Sequence, residues 1–373
     1  MVSSQCQTSE VGWRGHRKRM KALVLSAYNQ LDLLETSKPQ PRHDELLIRV
    51  AACGICGSDV HGYDGSTGRR IPPIIMGHEA AGFVESVGSD VSGFRSGDRV
   101  TFDSTVFCGK CFYCCRGQAN LCDDREIIGV STPDFRRMGA FAEYVTVPAR
   151  IVYHLPDNLP FVHAALIEAV SVAVHAVSLT PIALNDTVVV VGAGMIGLLT
   201  LQAARLAGAG RIIVLDIDDA RLEMARNLGA TYTFNSGRSS TVEDLSALTD
   251  GRGADAAFEC VGASTTVKLA LDGVRKGGAV TLIGNITPTI ELGLQSVVTR
   301  QIRVQGSCAS AGEYPACIEL MSREAIRVEP LISAVAPLQD GPTWFQRLYD
   351  REPGLLKVVL QPNPPVPERA LSI

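Results

Sequence analysis

Through the first half of the chain, apolar and polar positions follow each other in short runs broken by turn residues. MKALVLSAYNQLDLLETS opens at Met20, followed by Glu45–Ile55, Ala80–Gly88, Gly97–Phe102 and Gly139–Pro148, each bounded by Gly, Pro, Asp or Ser. That punctuation, from about 21 to 180, predicts a β-rich, barrel-like domain. Phe161–Leu179 then turns helical and unusually apolar. From about 181 to 308 the rhythm changes to strand, helix, strand. Strands are predicted at Thr187–Val191, Arg211–Asp216, Thr231–Phe234, Ala254–Cys260, Ala279–Ile283 and Ile302–Gly306, with helices such as Ala220–Leu228 and Thr265–Val274 between them. Val/Ile-rich strands in this alternation predict an α/β unit, a parallel sheet covered on both faces by helices. The tail, 309–373, holds one predicted helix (Tyr314–Met321) and a closing strand (Leu355–Pro362), and is expected to return to the first domain. Residues 1–19 show no periodicity and read as a flexible leader. The expected units are therefore 1–19, 20–180, 181–308 and 309–373.

Composition changes this picture little. The chain of 373 residues is 46% hydrophobic and 20% charged with net charge −4, as in ordinary globular proteins. A pI near 6.0 and the lack of a long Lys/Arg run argue against a nucleic-acid or anionic-membrane partner. Thr187–Ala204 carries no charge over eighteen residues, about the length of a membrane span. Its β-branched start, three glycines and flanking Asp186 and Arg205 fit a buried strand, turn and helix better. Met1–Glu10 is polar and lacks the apolar segment of a signal peptide. Eleven cysteines, an odd number, disfavour a disulfide framework, and the expected compartment is the reducing cytosol.

Three patterns carry chemistry. The first is Gly192-Ala-Gly194-Met-Ile196-Gly197, a G-x-G-x-x-G run between a four-valine strand and a helix, with Asp216 nineteen residues past Gly197. In that context the glycines make the tight turn, the close approach to a pyrophosphate and the helix–strand contact. Asp216 would accept hydrogen bonds from ribose hydroxyls and repel a 2′-phosphate, which favours NAD over NADP. Arg221 either weakens that preference or stacks on the adenine. The second pattern is CGKCFYCCRGQANLC, in which Cys108, Cys111, Cys114 and Cys122 have the spacing of a closed tetrahedral zinc site, with Cys115 left over. Bacterial iron–sulfur spacing needs a shorter last gap and a following proline, and Asp123 stands there instead.

The third pattern is scattered: Cys56, Ser58 and His61 in ACGICGSDVHG, His78 and Glu79 in GHEAAG, and Glu168 inside an apolar helix. A lone Cys or His is usually structural, but a carboxylate in an apolar run is costly without a cation. A thiolate, an imidazole and a carboxylate form a reasonable catalytic zinc set with one position open. Zinc there would lower the pKa of a bound oxygen, from about 16 for bulk water to ~7, so that an alcohol could yield its proton and then hydride.

At this point the sequence resembles the zinc-dependent medium-chain dehydrogenases. GHEAAGFVESVGSDV fits G-H-E-x2-G-x5-G-x2-V at Gly77, His78, Glu79, Gly82, Gly88 and Val91, and the cysteine run fits the structural zinc lobe of that family. Glu168, CGICGSD and GHE look most like its polyol (sorbitol-type) and threonine branch. The resemblance implies a Rossmann doubly wound sheet plus a GroES-like barrel catalytic domain, with NAD and two zinc ions per chain. It implies catalytic zinc at Cys56 and His78, completed by Glu79 or Glu168, and proton removal through Ser58 and His61. It also implies cofactor contacts from Val261, Gly262, Ile283, Gly284 and Lys357, and a homotetramer or homodimer joined through Ile283–Gln305. The implied reaction is reversible oxidation of a secondary alcohol, in a polyol or diol, to a ketone. Sorbitol-type members commonly carry an arginine just after the last cofactor-domain strand. Gln305–Gly312 has none, which leaves the alcohol open, threonine and 2,3-diols being the alternatives. A catalytically silent NAD-binding protein would have lost zinc ligands, and all four candidates are present.

Overall fold

The computed structural model describes residues 18–130, 136–237 and 241–363. The leader reading thus lies outside the described residues up to position 17, and Arg19 already begins the first strand, Arg19–Ala27.

Six parallel strands form one sheet in the order Tyr232–Asn235, Arg211–Asp216, Thr187–Val191, Ala254–Glu259, Val274–Leu282, Arg303–Gly306. Numbered along the chain this is the 3-2-1-4-5-6 order of a Rossmann sheet. Thr187–Val191 shows why it forms. Val188 and Val190 join the core beneath helices Ile167–Ser178 and Met195–Leu206, whereas Val189 and Val191 face the opposite core with Ile213, Leu215 and Val267. A strand buried on both faces needs β-branched residues throughout, and helices must cover both sides. The uncharged run Thr187–Ala204 is spent on this strand, turn and helix. No helix among the described residues is long and apolar enough to cross a membrane.

The other large sheet has seven strands. Glu45–Gly54 lies at its centre, flanked by Glu79–Val87, Tyr144–Pro148 and Lys357–Gln361. Val359 pairs with Gly54 and Leu360 with Cys53, so the end of the chain closes the sheet begun near its start. The tail holds more than expected from sequence. Strand Ile332–Pro337 pairs parallel with Lys357–Gln361, and helix Gly341–Tyr349 seats Phe345 in the barrel core beside Phe141. Strand Val274–Leu282 also starts five residues before the predicted Ala279, because Gly277 and Gly278 hide its first half from an apolar pattern.

A candidate dinucleotide cleft and two metal-ligating clusters

The glycine run sits at the carboxyl end of Thr187–Val191. Gly192 has φ +98°, and a Cβ on Gly197 would lie 1.8 Å from the Gly192 carbonyl oxygen. Both positions are therefore fixed by backbone geometry. Gly194 caps helix Met195–Leu206 and has nothing within 4 Å of a built Cβ, leaving open space where the helix amides point. Asp216 ends the neighbouring strand. Its carboxylate accepts from the Ala193 N–H at 2.6 Å and the Asp218 N–H at 3.0 Å, so it braces the turn it flanks. Ile196 follows in the first turn of the helix. Arg221 lies beyond, its guanidinium 3.8 Å from Asp218 rather than on Asp216.

Two further segments meet at the same end of the sheet. The Val261 and Gly262 amides donate to the buried Glu259 carboxylate at 2.9 and 2.8 Å, and the Ile283 and Gly284 amides donate to the Glu259 carbonyl at 2.8 and 3.0 Å. A Cβ on Gly284 would lie 2.2 Å from Gly262 N, so these turns pack backbone against backbone. The cleft thus opens where strand order reverses, between Thr187–Val191 and Ala254–Glu259, the usual dinucleotide position. Gly194→Ala is expected to leave thermal stability unchanged but to weaken dinucleotide binding at least about tenfold, roughly 1.4 kcal/mol. Gly197→Ala is expected to lower both. Thermal melts and fluorescence titration with NADH separate the two.

The lobe cysteines converge as their spacing predicts: ligand atoms of Cys108, Cys111, Cys114 and Cys122 all lie within 4.8 Å of one another. Backbone N–H groups of Cys108 and Lys110 reach the sulfurs of Cys122 and Cys108 at 3.2 and 3.5 Å. Amides of Cys114 and Asp123 pull the Cys111 thiol down to about 6, while burial pushes its neighbour Cys114 up to about 12. Cys115 stays outside the cluster, its sulfur on the Lys110 carbonyl at 3.5 Å. Four convergent thiolates fit zinc with no coordination position left for substrate. The lobe is tied to the rest of the molecule by Asn120, which donates to the Cys308 carbonyl at 2.7 Å and lies 3.3 Å from the ring of His175. That ring in turn lies 2.7 Å from Glu313.

The second cluster brings ligand atoms of Cys56, His78 and Glu79 within 4.8 Å of one another. Cys56 caps helix Gly57–Gly62, while His78 and Glu79 stand at the entry to strand Glu79–Val87. Ser58 Oγ donates to Cys56 Sγ at 3.3 Å, and His61 is exposed on the next turn. Glu168 does not join this set. It lies in the first turn of Ile167–Ser178, accepting from Ser104 Oγ at 3.4 Å. Burial pushes its carboxyl up to about 7; His78 opposes the shift, and Glu79 and Asp103 add to it. Lys357, an expected cofactor contact, is placed here instead, donating to both Glu79 oxygens at 2.9 and 2.7 Å and to the Ile55 carbonyl at 3.0 Å. A buried ammonium needs such a carboxylate, and breaking a pair of this kind costs about 3–5 kcal/mol.

Three site residues escaped the sequence reading. Asp59, fully buried, has its Oδ1 3.5 Å from His78 Nδ1. Burial works against the imidazolium, yet Asp59 and Cys56 hold His78 well above its ordinary range. Arg70 pairs with Asp59 at 2.8 Å, and Glu259 closes the cofactor turn. A signal for Asp59 existed, since three residues past Cys56 on one helix is the same face. For Arg70 there was none.

Cys56, His78 and Glu79 suit zinc by donor type, and zinc bound there would polarise an alcohol oxygen and ease loss of its proton. Such an ion, in a chain that also carries a dinucleotide cleft, defines a metal-dependent alcohol dehydrogenase. Comparison with known proteins agrees: residues 42–157 match the alcohol dehydrogenase GroES-like domain, and 196–323 match the zinc-binding dehydrogenase family. The chain is 35% identical to sorbitol dehydrogenase of Bacillus subtilis (strain 168), over 93% of its length and 98% of the relative's. It is 33% identical to D-arabitol-phosphate dehydrogenase of Enterococcus avium, over 93% and 99%. A zinc-binding dehydrogenase of Sinorhizobium meliloti 1021, solved bound to NADP, superposes with TM-score 0.85 at 33% identity, over 93% and 100%. The chain belongs to the zinc-dependent medium-chain dehydrogenases, in their polyol and threonine branch.

Proposed function

We propose that this dehydrogenase oxidises a secondary hydroxyl of a sugar alcohol or diol to a ketone, reversibly, with NAD as hydride acceptor and two zinc ions per chain. The observation that carries the reading is the convergence of Cys56, His78 and Glu79, whose ligand atoms all lie within 4.8 Å of one another. The described residues of 20–180 and 309–373 form the catalytic unit and those of 181–308 the cofactor unit. Lys357 holds the Glu79 carboxylate, Asp59 faces His78, and Ser58 lies against the Cys56 sulfur; in this reading Ser58 passes the hydroxyl proton outward towards exposed His61.

Asp216 supports NAD over NADP. Its carboxylate is anchored by two amides and 8% exposed, and the nearby Arg221 leans to Asp218, so a 2′-phosphate would meet an uncompensated anion. The Sinorhizobium relative was solved with NADP, which makes this chain's preference worth measuring. A kcat/KM for NAD at least about 10² above that for NADP is expected, roughly 2.7 kcal/mol. Equal values would remove Asp216 from this role.

Segment 283–305 exposes Leu294 and Val298 beside the edge strand Arg303–Gly306, which suits a homodimer or homotetramer contact. Steady-state rates with sorbitol and other polyols, their phosphates, 2,3-butanediol and threonine test the substrate class. Turnover confined to threonine would favour the alternative.

A further inference from the structure

One buried cation belongs neither to the ligand set nor to the cofactor cleft. Arg70 is 3% exposed and stands eight residues before His78. Its Nε and Nη2 donate to Asp59 Oδ1 at 3.3 and 2.8 Å, and Nη2 also reaches Ser58 Oγ at 3.4 Å. Asp59 Oδ1 faces His78 Nδ1 at 3.5 Å, and Ser58 Oγ donates to Cys56 Sγ at 3.3 Å. A single guanidinium therefore stands behind two of the three convergent ligands, along Arg70–Asp59–His78 and along Arg70–Ser58–Cys56. Asp59 Oδ2 and His78 Nδ1 are both buried without a hydrogen bond, so the aspartate is set in place chiefly from the Arg70 side. The backbone leaves room for this arrangement: a Cβ on Gly62, at the end of helix Gly57–Gly62, would lie 2.4 Å from Arg70 Cγ.

We propose that Arg70 is a positioning residue for the metal centre, fixing Asp59 so that His78 presents its Nε2, and fixing Ser58 against the Cys56 sulfur. Stability alone does not call for the pair, because an apolar replacement of a buried ion pair is often neutral or stabilising. Groups behind metal ligands typically set affinity by 10–100-fold. A planar fork that reaches two acceptors is a task lysine performs only in part.

The proposal rests on Cys56, His78 and Glu79 holding zinc. The test is chelator competition for zinc on the full chain, with the four-cysteine site as internal control and NADH titration as a check on the fold. The variants are Arg70→Gln, Arg70→Lys and Gly62→Ala. Arg70→Gln is expected to weaken the Cys56 site at least tenfold, with the four-cysteine site and NADH affinity unchanged. Arg70→Lys should recover part of that loss, and Gly62→Ala should reproduce it by displacing the arginine stem. Unchanged affinity at the Cys56 site in Arg70→Gln would overturn the proposal. So would equal losses at both zinc sites and the dinucleotide cleft, which mark a fold defect. Wild-type protein that binds one zinc rather than two would instead strike the metal reading itself.

Discussion

Cys56→Ser is expected to lower turnover at least about 10³-fold while NADH affinity stays within about twofold of wild type. The sulfur is one of three ligand atoms within 4.8 Å, and a serine hydroxyl is shorter, harder and protonated at neutral pH. Losing a polarising ion is worth several kcal/mol of transition-state stabilisation, and about 4 kcal/mol is roughly a thousandfold in rate. The dinucleotide turn is a separate structure: Gly192, Gly194 and Asp216 bond to the six-stranded sheet and its helices, not to helix Gly57–Gly62. Parallel assays of NADH formation and NADH binding therefore distinguish a lost ligand from a damaged fold. Full activity in this variant would remove Cys56 from the chemistry.

Cys111→Ser should act in the opposite manner, through order rather than chemistry. Between residues 107 and 125 the described secondary structure is two three-residue 3-10 helices, Cys114–Arg116 and Ala119–Leu121. Only Asn120 and Cys122 are buried there, while Phe112 and Leu121 are exposed, so apolar burial cannot hold the lobe closed. Structural zinc contributes ~10 kcal/mol or more in small zinc domains, and even a fraction of that decides whether this lobe is folded. Hydrogen exchange is expected to speed at least about 10³-fold at lobe amides, equivalent to roughly 4 kcal/mol, with one zinc lost per chain and the parallel sheet still protected. Because Asn120 donates to the Cys308 carbonyl, exchange at 307–312 should rise as well. Unaltered lobe protection would mean that the thiols serve no metal.

The parallel sheet was legible from sequence because its strands are buried on both faces and thus spell out apolar runs, as Thr187–Val191 does. Ile332–Pro337 was not: exposure alternates along it, but Ala334 and Ala336 face inward while Val335 faces out, so residue type does not spell the alternation. Helix Gly341–Tyr349 was masked by Gly341 and Pro342 at its start, residues that read as a turn. The lobe cysteines announced themselves through local spacing. Cys56, His78 and Glu79 were nameable from two short motifs, but Arg70 was not, since a lone charge is explained only by its partners. Lys357 meets Glu79 across 278 residues, and no local pattern encodes such a pairing.

The role proposed for a metal held by Cys56, His78 and Glu79 is to enable alcohol oxidation by NAD. It is tested most directly by stripping the protein with chelator, then following NADH formation from a polyol or diol as zinc is restored. Negligible turnover is expected in stripped protein, with recovery as the Cys56 site refills and no recovery in Cys56→Ser. Undiminished turnover by protein emptied at both metal sites would contradict it.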